Sequence, residues 1–254
     1  MSFSSTWLDL REPVDHLARD PELLARARRL VSDLPDARIV DLGSGTGSTV
    51  RALDLPNAHW TLVGHDETLL AEARRRSGPR ASTVQLDLRE VSAIPLAGAH
   101  LVTASALFDL VSADWIDALV KRLSAAGIGL YAAVTYDGTM KWNPADKADA
   151  AVRSAFNRHQ QTDKGLGPAL GPQAADYLAR SLRQSGFDVS TAPSPWNFDA
   201  GHEALYAEMV RGIATAAGEA GCIDADAWLE RRLGALPELN AQVGHVDILA
   251  LPPA

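Results

Sequence analysis

ARIVDLGSGTGS, residues 37–48, sets a short apolar run directly against three glycines. Such a run bounded by glycines reads as a buried strand entering a tight turn, because Gly alone enters left-handed backbone geometry without a Cβ penalty. Val50 and Leu53 then fit a brief helix. The same alternation continues outward. Strands are expected at 59–66 (HWTLVGHD), 83–88 (TVQLDL), 100–110 (HLVTASALFDL) and 127–138 (GIGLYAAVTYDG). Helices are expected over ETLLAEARRR and from about Asp114, where Trp115, Leu119 and Leu123 share a face. Strands alternating with helices predict a parallel sheet covered on both faces.

Upstream, Pro21 after Asp20 fits a helix start, and Leu23, Leu24, Ala27, Leu30 and Val31 make one apolar stripe. Trp7, Arg11 and Glu12 precede that helix. Downstream, residues 139–172 are polar and rich in Gly and Pro around one expected helix, Ala145 to Asn157. A helix through Tyr177, Leu178 and Leu182 leads to GFDVSTA, whose alternation predicts a half-exposed antiparallel strand. Two more helices (201–219 and 224–234) precede a last apolar strand, VGHVDILAL.

Composition narrows the function classes. The 254 residues carry 24 Lys+Arg against 32 Asp+Glu, a net charge of −8. Phosphate backbones need a basic stripe, so a nucleic-acid partner is not expected. No window reaches the roughly 18 apolar residues of a membrane span, and the first residues show early acids rather than a secretory signal. The lone cysteine, Cys222, allows no internal disulfide, which fits a cytoplasmic monomer or homodimer.

Three acids mark the ends of three successive strands: Asp41 before the glycines, Asp66, and Asp87. As structural features alone they would be helix caps and turn residues. Together, beside a glycine turn, they predict a nucleoside-containing ligand at the carboxyl edge of the sheet. An acid two residues before Gly43 suits a cationic group and would repel a pyrophosphate. The dinucleotide fingerprint G-x-G-x-x-G/A also fails here, because its third position is Ser48.

At these motifs the chain resembles the class I S-adenosylmethionine-dependent methyltransferases. IVDLGSGTGS is similar to their first motif, LVGHDETLLAEARR to their second and VQLDL to their third. The resemblance covers about 37–138 and resumes at GFDVSTA and VGHVDILAL, similar to the family's reversed hairpin. It implies a Rossmann-like, mostly parallel seven-stranded sheet with a C-terminal antiparallel hairpin, and S-adenosyl-L-methionine as cofactor. It further implies Gly43, Ser44 and Gly45 along the methionine part, Asp41 at its amino group and Asp66 at the ribose diol. Asp87 and the backbone of Leu88 would take the adenine, Ser105 would sit near the sulfonium, and Arg11 would pair with the methionine carboxylate.

The acceptor belongs beside the ends of the fourth and fifth strands, where 139–172 is placed to roof it. From that segment His159 is the candidate acid/base or acceptor-orienting residue, since its ordinary pKa lies near working pH. As a structural feature alone, it is a favourable cation at a helix C-terminus. Tyr136 and Asp109, at the expected strand ends, are further candidates to face the pocket. No HExxH, GxSxG or Walker A lysine is present, so no metal site is expected. The expectation is therefore one domain, 1–254, with 1–36 as a helical cover and 139–172 and 200–240 as lid insertions. Its reaction would be methyl transfer to an oxygen or nitrogen of a small-molecule acceptor. An NAD(P)-dependent oxidoreductase and a non-catalytic S-adenosylmethionine-binding protein are the alternatives.

Overall fold

Residues Ile39 to Leu42 are all buried, as a strand covered on both faces requires. A computed structural model describes residues 4–235 and 240–253. The strands are β1 (Arg38–Leu42), β2 (His59–Gly64), β3 (Ala81–Gln85), β4 (Leu101–Ser105), β5 (Gly129–Asn143), β6 (Asp188–Pro193), β7 (Trp196–Phe198) and β8 (Asn240–Leu251). The helices are α1 (Ser5–Ala18), α2 (Pro21–Ser32), α3 (Ser48–Leu53), α4 (Glu67–Ser77), α5 (Ala113–Ala126), α6 (Asp149–Gln160), α7 (Ala174–Gln184), α8 (Glu203–Glu219) and α9 (Ala225–Gly234).

The strand order is β3-β2-β1-β4-β5-β8-β6. β1 to β5 pair in parallel, and β8 runs antiparallel to β5 and β6. The order reverses between β1 and β4, which opens a crevice at their carboxyl ends. Successive β1 residues serve opposite cores. Ile39 packs with Leu62, Tyr131, α1 and α2, while Val40 packs with Val102, α5 and α7. The expected mostly parallel α/β sheet with an antiparallel C-terminal part is therefore present. One strand beyond the expected seven, β7, adds to the edge by pairing with β8.

Several boundaries differ from the sequence reading. Arg11, expected ahead of the first helix, lies inside α1, whose Ser4 cap accepts the Trp7 amide at 3.1 Å. Pro13 within that helix masks its signal, since proline removes a helical donor and reads as a break. β4 stops at Ser105 instead of running to 110. Ala106 turns into φ +50° and a one-turn 3-10 helix, Phe108–Leu110, follows. β3 ends before Asp87, and β5 runs on to Asn143 because β8 pairs with it through two irregularities. At the second irregularity a Cβ on Gly244 would lie 1.9 Å from Thr139 Oγ1, so only glycine lets the strands approach there.

The two insertions meet each other. α6, α8 and α9 share one apolar layer in which Val152, Tyr206, Ile213 and Trp228 join Trp142 of the β5 extension. This layer extends the core on the α1 face. The segments 1–36 and 200–240 include residues 1–3 and 236–239, which lie outside the described residues.

Candidate functional site

The glycine turn forms because Gly43 (φ +63°) and Gly45 (φ +52°) occupy left-handed geometry. The Ser44 amide donates to Val63 O at 3.1 Å, which ties the turn to β2. A Cβ on Gly45 would come within 3.2 Å of Leu8 on α1, and one on Gly43 within 3.5 Å of Leu107. Glycine therefore keeps open a cleft of about 400 Å³ between the turn and α1. That volume suits a nucleoside-sized ligand.

Asp66, Asp87, Leu88, Ser105, Gly43, Gly45 and Arg11 all line this cleft. Asp66 closes β2 and caps α4, its Oδ1 accepting the Leu69 amide at 3.0 Å. It is thus both cap and cleft wall. Asp87 accepts the Arg89 amide at 2.9 Å and pairs with its guanidinium, which lowers the carboxyl to about 2. The Leu88 carbonyl accepts Trp115 Nε1 at 2.6 Å, which holds the third-strand loop against α5.

Two further candidate residues stand beneath the turn. Asp41 and Ser44 do not line the cleft; both are buried beneath the turn. Asp41 faces β4, where its Oδ1 accepts Thr103 Oγ1 at 2.7 Å, and burial raises its carboxyl to about 6. Its Oδ2 and the Ser44 Oγ have no partner. Beside them sits Arg19, which sequence reasoning missed because a cation at a helix end carries no motif. Its Nη2 donates to Ser105 Oγ at 3.2 Å, while Nε and Nη1 are buried without partners.

His159 is likewise relocated. It lies on the face of α6 turned to α8, where Nε2 meets Glu219 Oε2 at 2.9 Å and Nδ1 accepts Lys164 Nζ at 3.0 Å. Lys164, Gly165 and Leu166 reach the cleft from that insertion; His159 does not. Burial lowers the Lys164 pKa.

At the Ser105 end, Ala106, Leu107, Leu110 and Arg11 make the wall. Arg11 is held by Asp15 at 2.8 Å and lies 5.1 Å over the Trp196 ring. Behind this wall are Asp109, whose burial raises its carboxyl to about 6, and His245, whose burial and proximity to Arg11 push it down to about 3. Asp109 Oδ1 and His245 Nδ1 have no partner. Tyr136 meets His245 edge-on at 6.0 Å and donates to Asn157 Oδ1 at 2.7 Å; burial raises its hydroxyl pKa. The only sequence signal for His245 was its place on an apolar strand.

His245 has a solution consequence. A depressed folded pKa contributes stability above the ordinary 6.5 that is lost as pH falls towards about 3. Relative to His245→Phe, the wild type should lose about 3 kcal/mol of unfolding free energy between pH 7 and pH 4. Asp41 and Asp109, with raised pKa values, act in the opposite sense, so the comparison must be between variant and wild type. Urea titrations at both pH values measure it; a pH-independent difference would contradict it.

Residues 39–127 match the family model described as a methyltransferase domain. Over that stretch the chain is similar to a methyltransferase domain. No curated protein matches the sequence. Among solved structures, the cyclopropane synthase MmaA2 from Mycobacterium tuberculosis is 13% identical with a TM-score of 0.55, covering 98% of this chain and 94% of its own. A SAM-dependent methyltransferase from Geobacter sulfurreducens, in complex with S-adenosyl-L-homocysteine, is 17% identical with a TM-score of 0.50, covering 100% of both chains. The YcgJ protein from Bacillus subtilis is 9% identical with a TM-score of 0.54, covering 92% and 100%. At these identities the likenesses establish the fold.

The residues present fit S-adenosylmethionine, the cofactor that the sequence resemblance implies. The fold offers a carboxylate at the β2 end for a diol and an open glycine turn for an extended chain. It also buries unpartnered groups of both signs, Arg19 and Asp41, beside that turn. No cluster of three or more His, Cys, Asp or Glu that could hold a metal ion occurs among the described residues.

Proposed function

We propose that the domain transfers a methyl group to an oxygen or nitrogen of a small-molecule acceptor. The observation that carries this reading is the Ser105 end of the cleft. There Leu107 and Leu110 make an apolar wall, and the buried Asp109 and His245 behind it each keep an unpartnered polar atom. An apolar wall excludes water from a displacement whose charge disperses along its path. A buried carboxylate near pKa 6 is poised to take a proton from an O–H or N–H at working pH.

S-adenosylmethionine, when bound, supplies the electrophilic methyl group. This chain's residues bind, orient and keep the site dry. In this reading Asp66 holds the ribose diol, Asp87 and the Leu88 backbone border the adenine, and Gly43 and Gly45 admit the methionine chain. Ser105 stands nearest the reacting centre. Lys164 and Leu166 close the opposite wall, so the insertion 139–172 acts through its 164–166 loop. His159 orients Lys164 and is not the base. The same reading treats 1–254 as one domain acting in the cytoplasm as a monomer or homodimer. Cell fractionation and gel filtration check those two points. The net charge of −8 supports a small acceptor over a nucleic acid.

Two measurements test the proposal. Calorimetry should show S-adenosylhomocysteine binding and no NAD(P) binding; the reverse would sink it. With an acceptor found from a panel of hydroxyl and amine compounds, Asp109→Asn should lower kcat by about 10²–10⁴-fold with cofactor affinity unchanged. An undiminished kcat would remove Asp109 from the chemistry.

A further inference from the structure

A cavity of about 570 Å³ lies at the other end of the strands from the glycine turn. It follows from a gap in the cover of the sheet. A parallel sheet carries helices on both faces, yet between β3 and β4 the chain forms only a one-turn 3-10 helix, Val91–Ala93. On the face of Val40, β2 and β3 stay open: Thr61 is half-buried and Ser82 is exposed. Strand register then decides which side chains fill the gap. Arg38 pairs with His59, Val40 with Thr61, and Thr61 with Ser82. The Trp60 amide donates to Arg80 O at 2.9 Å, which continues the ladder one residue before β3. Alternate strand residues share a face, so Arg38, His59 and Arg80 make one row beside Val40, Thr61 and Ser82. Arg74 adds a third guanidinium from α4, and Pro95, Ala97 and Ala99 supply an apolar wall.

This row gathers cations in a chain of net charge −8. Among the described residues, Asp36 is the one acid in the lining, its side chain 79% exposed and 3.9 Å from His59 Nε2. Arg38, Arg74 and Arg80 pair with no carboxylate among the described residues. Arg80 Nη1 donates to Asn57 O at 3.0 Å and to His59 Nε2 at 3.2 Å. His59 therefore carries its proton on Nδ1, and Nε and Nη2 of Arg80 remain to bind. Three guanidiniums from three elements call for an acceptor with several oxygens and more than one charge. A carboxylate offers two oxygens and one charge. A phosphate monoester offers three oxygens and close to two charges, in the geometry that arginine forks fit. The volume exceeds what phosphate alone would fill and lies in the range of small-molecule sites.

The geometry points to a second ligand site here, for a small phosphate monoester with a compact apolar body. Arg38, Arg74 and Arg80 take the phosphoryl oxygens, and the 95–99 loop packs the body. From Arg38 to Gly43 the chain runs about 16 Å at roughly 3.3 Å per residue. The site is therefore separate from the cofactor cleft, and both can be filled at once.

The probe is phenyl phosphate, titrated calorimetrically into the full chain with and without S-adenosylhomocysteine. Its Kd should be the same in both titrations. Inorganic phosphate and benzoate each lack half of the ligand and should bind about tenfold more weakly or worse. Arg38→Gln and Arg80→Gln should each weaken phenyl phosphate about tenfold or more, with a thermal melt as the folding control. The comparison of probes on the wild type needs no variant. Absence of binding at about 10 mM phenyl phosphate would rule the site out. So would displacement of the probe by S-adenosylhomocysteine, which would put it in the cofactor cleft, or undiminished binding to the Arg38→Gln/Arg80→Gln double variant. Benzoate binding as tightly as phenyl phosphate would overturn the phosphate assignment, and inorganic phosphate binding as tightly would overturn the apolar body.

Discussion

Asp66→Ala is expected to weaken S-adenosylhomocysteine binding by about 100-fold or more. Asp66 stands at the end of β2 in the cleft wall. A carboxylate accepting hydrogen bonds from a ribose diol contributes about 1.5–3 kcal/mol per bond, and 1.4 kcal/mol is tenfold in affinity. The alanine also removes the cap on α4, where Oδ1 accepts the Leu69 amide at 3.0 Å. That loss costs about 1 kcal/mol of stability. Asp66→Asn separates the two effects, because asparagine caps a helix as well as aspartate but carries no charge. It should leave the unfolding midpoint in place and still weaken binding about tenfold. Calorimetry and a thermal melt measure both; binding within threefold of wild type in the alanine variant would contradict the ribose role.

The second large effect is on stability. Asp247 is fully buried in β8, and its two oxygens serve three donors, two from β5 and one from the cap of α2. Oδ1 accepts the Val134 amide at 2.8 Å; Oδ2 accepts Tyr131 OH at 3.0 Å and the Asp20 amide at 3.0 Å. Val134 holds φ +54°, a conformation that a β-branched residue rarely adopts. Its bond to Asp247 helps to hold that strain. Asp247→Ala would strand two buried donors and one half-buried donor and release the bulge at once. Urea unfolding should show a loss of about 3–5 kcal/mol. A loss under about 1 kcal/mol would mean that solvent or neighbours replace the carboxylate.

The parallel core was legible because its physics is local and repetitive. An apolar run, a glycine turn and a following helix recur from β1 to β5, and each unit announces itself within about twenty residues. Asp66 and Asp87 were legible for the same reason, being acids at strand ends. Asp41 shows the limit of that reasoning. The sequence places it at the turn but cannot say on which face it points, and strand register turns it to Thr103. The place of His159 outside the cleft lining was not legible, because its partners, Glu219 and Lys164, come from elsewhere in the chain. Arg19, His245 and the extent of β5 depend on contacts between segments far apart in sequence. α1 was hidden by its own Pro13, whose helical context is provided by packing rather than propensity.

The bond from the Asp20 amide to Asp247 joins residues 227 positions apart. At a ribosomal rate of about 5–20 residues per second, roughly 10–50 s separate the appearance of one partner from the other. Within that interval the long strand β5 (Gly129–Asn143) waits about 5–20 s for β8 (Asn240–Leu251), its antiparallel neighbour, and presents an open edge. The nascent sheet is unfinished over that gap. The protein's yield in a cell should depend on whatever shields that edge as much as on the stability of the finished fold.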